Sequence, residues 1–261
     1  MTRIPTATGE IGFDERGRGN ALPVIFLHGV GSDKSVWWPQ LDHFGRTRRA
    51  VALDYPGYGD SAFLADASRD DFAAAILAAM DLLGIARAHI CGLSLGGVIA
   101  IAMHHAAPDR CASLIIADSF AVHPDGQGIH DRSLVASRAG GMRALAEQRA
   151  PLLLAASATD AMKREVIETM ARIDPRGFER GVEAVWLADQ RDRVAAIAVP
   201  TLVIVGDEDR VTPPQLSRVL HAAIPGSRLE VIAGAGHIAN LDSADAFNAA
   251  VETFIAEVER S

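Results

Sequence analysis

Ile90-Cys91-Gly92-Leu93-Ser94-Leu95-Gly96-Gly97 is the stretch on which the fold turns. It carries Gly-x-Ser-x-Gly between two apolar runs, Ala88-His89-Ile90-Cys91 before it and Val98-Ile99-Ala100-Ile101-Ala102 after it. A short apolar run suits a buried parallel strand, and a run of small apolar residues suits a buried helix. Between them the chain must reverse sharply, and a strained turn there lifts Ser94 to the C-terminal edge of a sheet. Side chains at 92 and 96 would collide with the strand or the helix start, so glycine stands at both. The Leu95 N–H, at the positive end of the helix, points beside the serine oxygen. Alone, the pattern also fits a glycine-flanked helix start. Its neighbours decide.

Outward from this turn, residues 22–27, 49–53 and 112–117 read as buried strands, with a weaker one at 11–16. Helices are expected at 33–44 and from the capping box Ser68-Arg69-Asp70-Asp71 to about 83, where Gly84 stops the second. Strand and helix therefore alternate, the signature of a parallel sheet covered on both faces. From about 120 to 198 the alternation stops. Helical segments follow around 137–148, 159–172 and 175–188, with Gly126-Gln127-Gly128 as the expected hinge into them. The sheet resumes at 201–205 and 228–232, with helices at 214–223 and 243–258. Phe247, Val251, Phe254, Ile255 and Val258 form one apolar stripe on the last helix. The expected fold class is α/β: a mostly parallel central sheet flanked by helices, with an inserted helical cap. Residues 1–120 and 199–261 would form the core and 121–198 the cap.

Composition bounds the function. The 261 residues are 49% hydrophobic and 22% charged, enough for a sizeable core. A formal charge of −8 argues against nucleic acid or an anionic membrane as partner. No apolar run reaches the roughly 18 residues that span a bilayer, and the first 20 residues lack a signal-peptide block. Cys91 and Cys111 sit in apolar contexts as reduced core residues, with no metal-ligand spacing around them. A cytoplasmic protein acting on a small molecule is expected, without metal or cofactor and with homo-oligomerisation open.

Ser94 becomes a nucleophile only with a base to take its proton and a carboxylate to orient that base. Gly206-Asp207-Glu208-Asp209-Arg210-Val211-Thr212-Pro213 follows the strand at 201–205, where such an acid belongs. Asp209 is favoured, three residues after the glycine. Asp207 is the runner-up, Glu208 is expected to face solvent, and Asp118, at the end of an earlier strand, is a fourth candidate. Gly234-Ala235-Gly236-His237 follows the last strand, and flanking glycines let His237 sit on a tight loop. Of the other histidines, His28 is expected to pack beneath its own loop, and His104 and His105 lie on the helix after the turn. His28-Gly29-Val30-Gly31 supplies an oxyanion loop, with the Val30 N–H pairing with that of Leu95. A phosphate loop would need Gly-x-Gly-x-x-Gly or a Walker lysine, and neither is present.

These stretches, with Asp54-Tyr55-Pro56-Gly57-Tyr58-Gly59-Asp60-Ser61, make the chain resemble the α/β-hydrolase superfamily over nearly its full length. Gly92 to Gly97, Ile173-Asp174-Pro175-Arg176-Gly177-Phe178, His237-Ile238-Ala239-Asn240-Leu241 and Ala246-Phe247-Asn248 are similar to the 3-oxoadipate enol-lactonases. Two features depart from that family: His28-Gly29, where many members carry Asn-Ser, and Pro151-Leu152-Leu153-Leu154, which lacks aromatic and basic residues. The resemblance implies a serine hydrolase that opens a small ester or lactone through an acyl-enzyme. Serine at the turn argues against dehalogenases and epoxide hydrolases, which carry aspartate there. C–C hydrolases of meta-cleavage products, thioesterases and non-catalytic ligand-binding members stay open. Trp38, Phe120, Met142, Trp186 and Val211 are the candidate pocket residues. Arg138, Arg143 and Arg164 are the candidate partners for an anionic substrate group.

Overall fold

The computed structural model describes residues 2–260. Its single sheet runs in the order β1 (Thr2–Thr6), β2 (Gly9–Arg16), β4 (Arg48–Leu53), β3 (Ala21–Leu27), β5 (Ala88–Leu93), β6 (Cys111–Ala117), β7 (Thr201–Gly206) and β8 (Arg228–Ile232). The β1/β2 and β2/β4 pairs are antiparallel, and every later pair is parallel. All residues of β5, β6 and β7 are buried, which explains their unbroken apolar character. The polar, largely exposed β1 gave no alternating pattern by which it could be expected.

Ten α-helices follow in chain order among the described residues. They are α1 (Trp38–Phe44), α2 (Arg69–Leu82), α3 (Leu95–Ala106), α4 (Gly126–Leu153), α5 (Asp160–Ala171), α6 (Pro175–Trp186), α7 (Arg191–Ala195), α8 (Pro214–Ala223), α9 (Ala239–Asp242) and α10 (Ala244–Val258). One apolar layer packs Phe72 and Ile76 of α2 and Ile99 and Met103 of α3 against the sheet. The opposite layer packs Trp37, Phe44, Phe247 and Val251 against Phe26. The expected helix at 33–44 is a 3-10 turn (Lys34–Trp37) followed by α1, with proline in the first turn of α1. The Ser68/Asp71 capping box opens α2, and Gly84 follows it at φ 67°.

Helices α4 to α7 lie between β6 and β7 in sequence. Their joint differs from the expected one. Gly126 starts α4 at a place where a side chain would overlap the Trp186 carbonyl, so it serves close packing and not a hinge. The break falls at Gly141 (φ 72°, ψ 175°), which splits α4 into two arms. In an unbroken helix Ser133 and Arg149 would stand about 24 Å apart at 1.5 Å per residue. Here Arg149 Nη1 reaches Ser133 Oγ at 3.5 Å, so the arms double back on each other.

Packing is tightest where β5 meets α3. A Cβ on Gly92 would overlap the Gly96 carbonyl, and one on Gly96 would overlap that of Leu27. Gly96→Ala is therefore expected to cost about 1–3 kcal/mol in urea unfolding, from forced backbone movement. Gly84→Ala meets open space and should cost only about 1 kcal/mol, from its positive φ. Equal losses at the two sites would contradict this account of the turn.

Candidate active site

Ser94 sits at φ 54°, ψ −112°, a region that side-chain-bearing residues rarely adopt. Its N–H donates to Ala117 O (2.9 Å), and its carbonyl accepts from Ser119 Oγ (2.8 Å) and from the Gly97 and Val98 N–H groups. Leu95, as the first residue of α3, has no acceptor for its N–H among the described residues; nor has Val30. The Gly29 backbone runs beside the serine, since a Cβ there would lie 3.5 Å from Ser94 Cβ.

Asp209 is buried, and four donors fill its two oxygens. Oδ1 accepts from the Val211 (2.7 Å) and Thr212 (2.9 Å) N–H groups. Oδ2 accepts from Thr212 Oγ1 (2.7 Å) and lies 2.9 Å from His237 Nδ1. Because the threonine hydroxyl gives its proton to Asp209, the His237 Nδ1 proton also points there, leaving Nε2 as an acceptor. Burial alone would raise the Asp209 carboxyl. The charge and hydrogen bond of His237, with the Thr212 donors, outweigh burial and hold it at about 2.

Ser94 and His237 line one cavity of about 30 Å³, with Gly29, Val30 and Gly31 on one side and Arg149 and Leu153 on another. Ser94 Oγ is buried and makes no hydrogen bond among the described residues. Of the five expected pocket residues, none lines this cavity. Trp38 is 48% exposed and donates to Asp14 Oδ2, because its neighbour Trp37 takes the inward face against Phe26 and Phe247. Phe120 and Trp186 stack on each other (centroids 5.6 Å apart), and Met142 is buried in the same apolar cluster. Val211 serves the site through its backbone N–H.

The other acids have different tasks. Asp207 is exposed and accepts from the Gly234 N–H (2.7 Å), and Glu208, expected in solvent, accepts from the Ala156 N–H (2.9 Å). Asp118 is wholly buried at φ 47° and accepts from the Gly206 N–H (2.9 Å). Burial, reinforced by the charge of Asp209, pushes its carboxyl well above the usual carboxylate range. Among the described residues, no three His, Cys, Asp or Glu side chains are grouped to hold a metal. None of their helices is long and apolar enough to cross a membrane.

A model described as the alpha/beta hydrolase family matches residues 24–250. The chain belongs to the α/β-hydrolase family. It is 26% identical to 3-oxoadipate enol-lactonase 1 of Acinetobacter baylyi, over 93% of this chain and 92% of that one. It is 29% identical to a pimeloyl-[acyl-carrier protein] methyl ester esterase of Neisseria meningitidis, over 89% of this chain and 92% of that one. The crystal structure of the enol-lactonase from Burkholderia xenovorans LB400 superposes with a TM-score of 0.91 at 29% identity, covering 98% and 100% of the two chains.

Two scaffolds brace this α/β-hydrolase site. Beneath the glycine loop, Asp54 accepts from the Lys34 N–H and Nζ (both 2.8 Å) and the Asp60 N–H (2.9 Å). Lys34 Nζ also donates to Asp60 (2.6 Å), and the Tyr55 hydroxyl donates to the His28 carbonyl (3.1 Å). His28 packs between Tyr55 and Tyr58, and burial lowers its pKa to about 4. Asp54 to Ser61 therefore holds the 28–34 loop. On the other side, Asp242 Oδ2 accepts from the Gly236 (2.8 Å) and Ala155 (2.9 Å) N–H groups, and the Ile238 N–H donates to Leu153 O. The end of α4 and the histidine loop are thereby tied together.

The depressed Asp209 carboxyl links stability to pH. Its folded pKa lies below the unfolded value of about 3.9, so its contribution is complete above pH 4 and is lost as pH falls towards 2. Relative to wild type, Asp209→Asn should lose stability less steeply between about pH 4 and pH 2 in circular-dichroism acid titrations. Parallel curves would show that the carboxylate is not held by these donors.

Proposed function

We propose that this α/β hydrolase is a serine hydrolase that cleaves a small carboxylic ester or lactone through an acyl-enzyme. The four-donor carboxylate of Asp209, fixing the His237 tautomer beside Ser94, is the observation that carries the assignment. In this mechanism Ser94 Oγ turns towards His237 Nε2, gives up its proton and attacks the carbonyl carbon. The Val30 and Leu95 N–H groups, which have no acceptor among the described residues, bind the resulting oxyanion. His237 passes the proton to the leaving oxygen, and water, deprotonated by the same ring, releases the acid. The relatives named as an enol-lactonase and a methyl ester esterase act on ester bonds, which supports this substrate class. The unpaired, buried Cys91 and Cys111 support a reducing compartment such as the cytoplasm.

Ser94→Ala should keep the circular-dichroism spectrum and abolish both the acyl-enzyme burst and the turnover of p-nitrophenyl acetate. Turnover at the wild-type rate would overturn the mechanism. The two buried aspartates separate by substitution. Asp209→Asn should lower kcat by roughly 10³–10⁴, the scale for losing the orienting carboxylate. Asp118→Asn replaces a buried acid, whose carboxyl burial pushes towards the neutral form, with a neutral isostere and should stay within about tenfold of wild type. The reverse order would move the orienting role to Asp118.

A further inference from the structure

Arg149 differs from other arginines of the chain. Arg138 pairs with Glu179 (2.9 Å), Arg143 forks onto Glu168 (2.7 and 2.8 Å), and Arg193 forks onto Asp70 (2.6 and 2.8 Å). These pairs are at the surface, and each guanidinium is already neutralised. Arg164, also expected as an anion partner, is simply exposed. Arg149 has no carboxylate within 4.0 Å among the described residues, and its one hydrogen bond there is to Ser133 Oγ at 3.5 Å. It is partly buried and lines the cavity that holds Ser94 and His237. The remaining wall, from Val30, Val36, Leu93, Leu153 and Ile238, is apolar.

A guanidinium presents five donors in a fork that matches a carboxylate. Placed among aliphatic side chains with no counter-ion, it is a cation awaiting an anion. Water alone would be served as well by a smaller polar residue, and the Gly141 reversal is what brings this arm of α4 over the nucleophile. We propose that Arg149 selects substrates bearing a free carboxylate a few bonds from the scissile ester. Such substrates are half-esters of dicarboxylic acids or lactones with a carboxylate side arm. The assignment rests on the proposal that Ser94 is the nucleophile.

The test compares monomethyl succinate with methyl butyrate, a neutral ester of similar shape, in kcat/KM. Wild type should prefer the anionic ester by roughly ten- to a hundredfold, the scale of one charge-assisted pair. Arg149→Met should bring that ratio towards one, mainly through KM for the anionic ester, and Arg149→Lys should restore part of it. Succinate titrated calorimetrically into Ser94→Ala should bind at least ten times more tightly than into Ser94→Ala with Arg149→Met. A wild-type ratio near one overturns the assignment whether or not the variants fold, as does a ratio unchanged by Arg149→Met. If neither ester nor p-nitrophenyl acetate is turned over, the hydrolase proposal fails, and succinate binding still decides the role of Arg149.

Discussion

A serine held at φ 54° at the carboxyl end of a buried central strand is the constraint from which the rest follows. That conformation costs on the order of 1–3 kcal/mol and persists only where its surroundings over-determine it. Here the Ala117 carbonyl, the Ser119 hydroxyl and the first-turn amides of α3 grip the residue on both sides. The glycines at 92 and 96 allow the strand, the helix and the neighbouring Leu27 carbonyl to approach closely enough for that grip. With the turn fixed, Ser94 stands at the carboxyl end of β5. The loops after β3, β7 and β8 open on the same edge of the sheet, where open parallel sheets place their sites.

The same edge gathers buried acids whose environments drive them apart. Asp209 has four donors and sits low, whereas Asp118 has burial and a like charge nearby and sits high. Asp54 lies between them at about 6: burial raises it, and Lys34 pulls it back. Residue type alone does not separate these three; the number of hydrogen-bond donors reaching each carboxylate does.

Much of this was legible along the chain. Strands buried on both faces write themselves as unbroken apolar runs, and Ser68 with Asp71 announces a helix start by local hydrogen bonding. The turn at Ser94 follows a strand end, and the same position singled out Asp209 and His237, whose side chains meet at 2.9 Å. Contacts made by the folded chain alone stayed hidden. Trp38 and Trp37 have the same composition, and only the phase of a short helix decides which is exposed. The pocket residues Leu153 and Arg149 depend on the reversal at Gly141, and glycine pairs at 126–128 and 140–141 look alike in sequence. Thr212 had a weak signal, three residues beyond an aspartate in a loop, the spacing of a side-chain-capped turn. Lys34 had none, since its partners Asp54 and Asp60 lie 20 and 26 residues away.

Asp242 reaches the amide of Gly236 on the histidine loop and that of Ala155 just beyond α4 with a single oxygen. At that end of α4, Leu153 faces the cavity, together with Arg149 four residues before it. The wall that shapes the guest and the arm that carries the imidazole thus form one mechanical piece. Under the proposed mechanism, reshaping the former to admit a larger molecule would shift the latter's aim, so selectivity and reactivity would drift together under mutation.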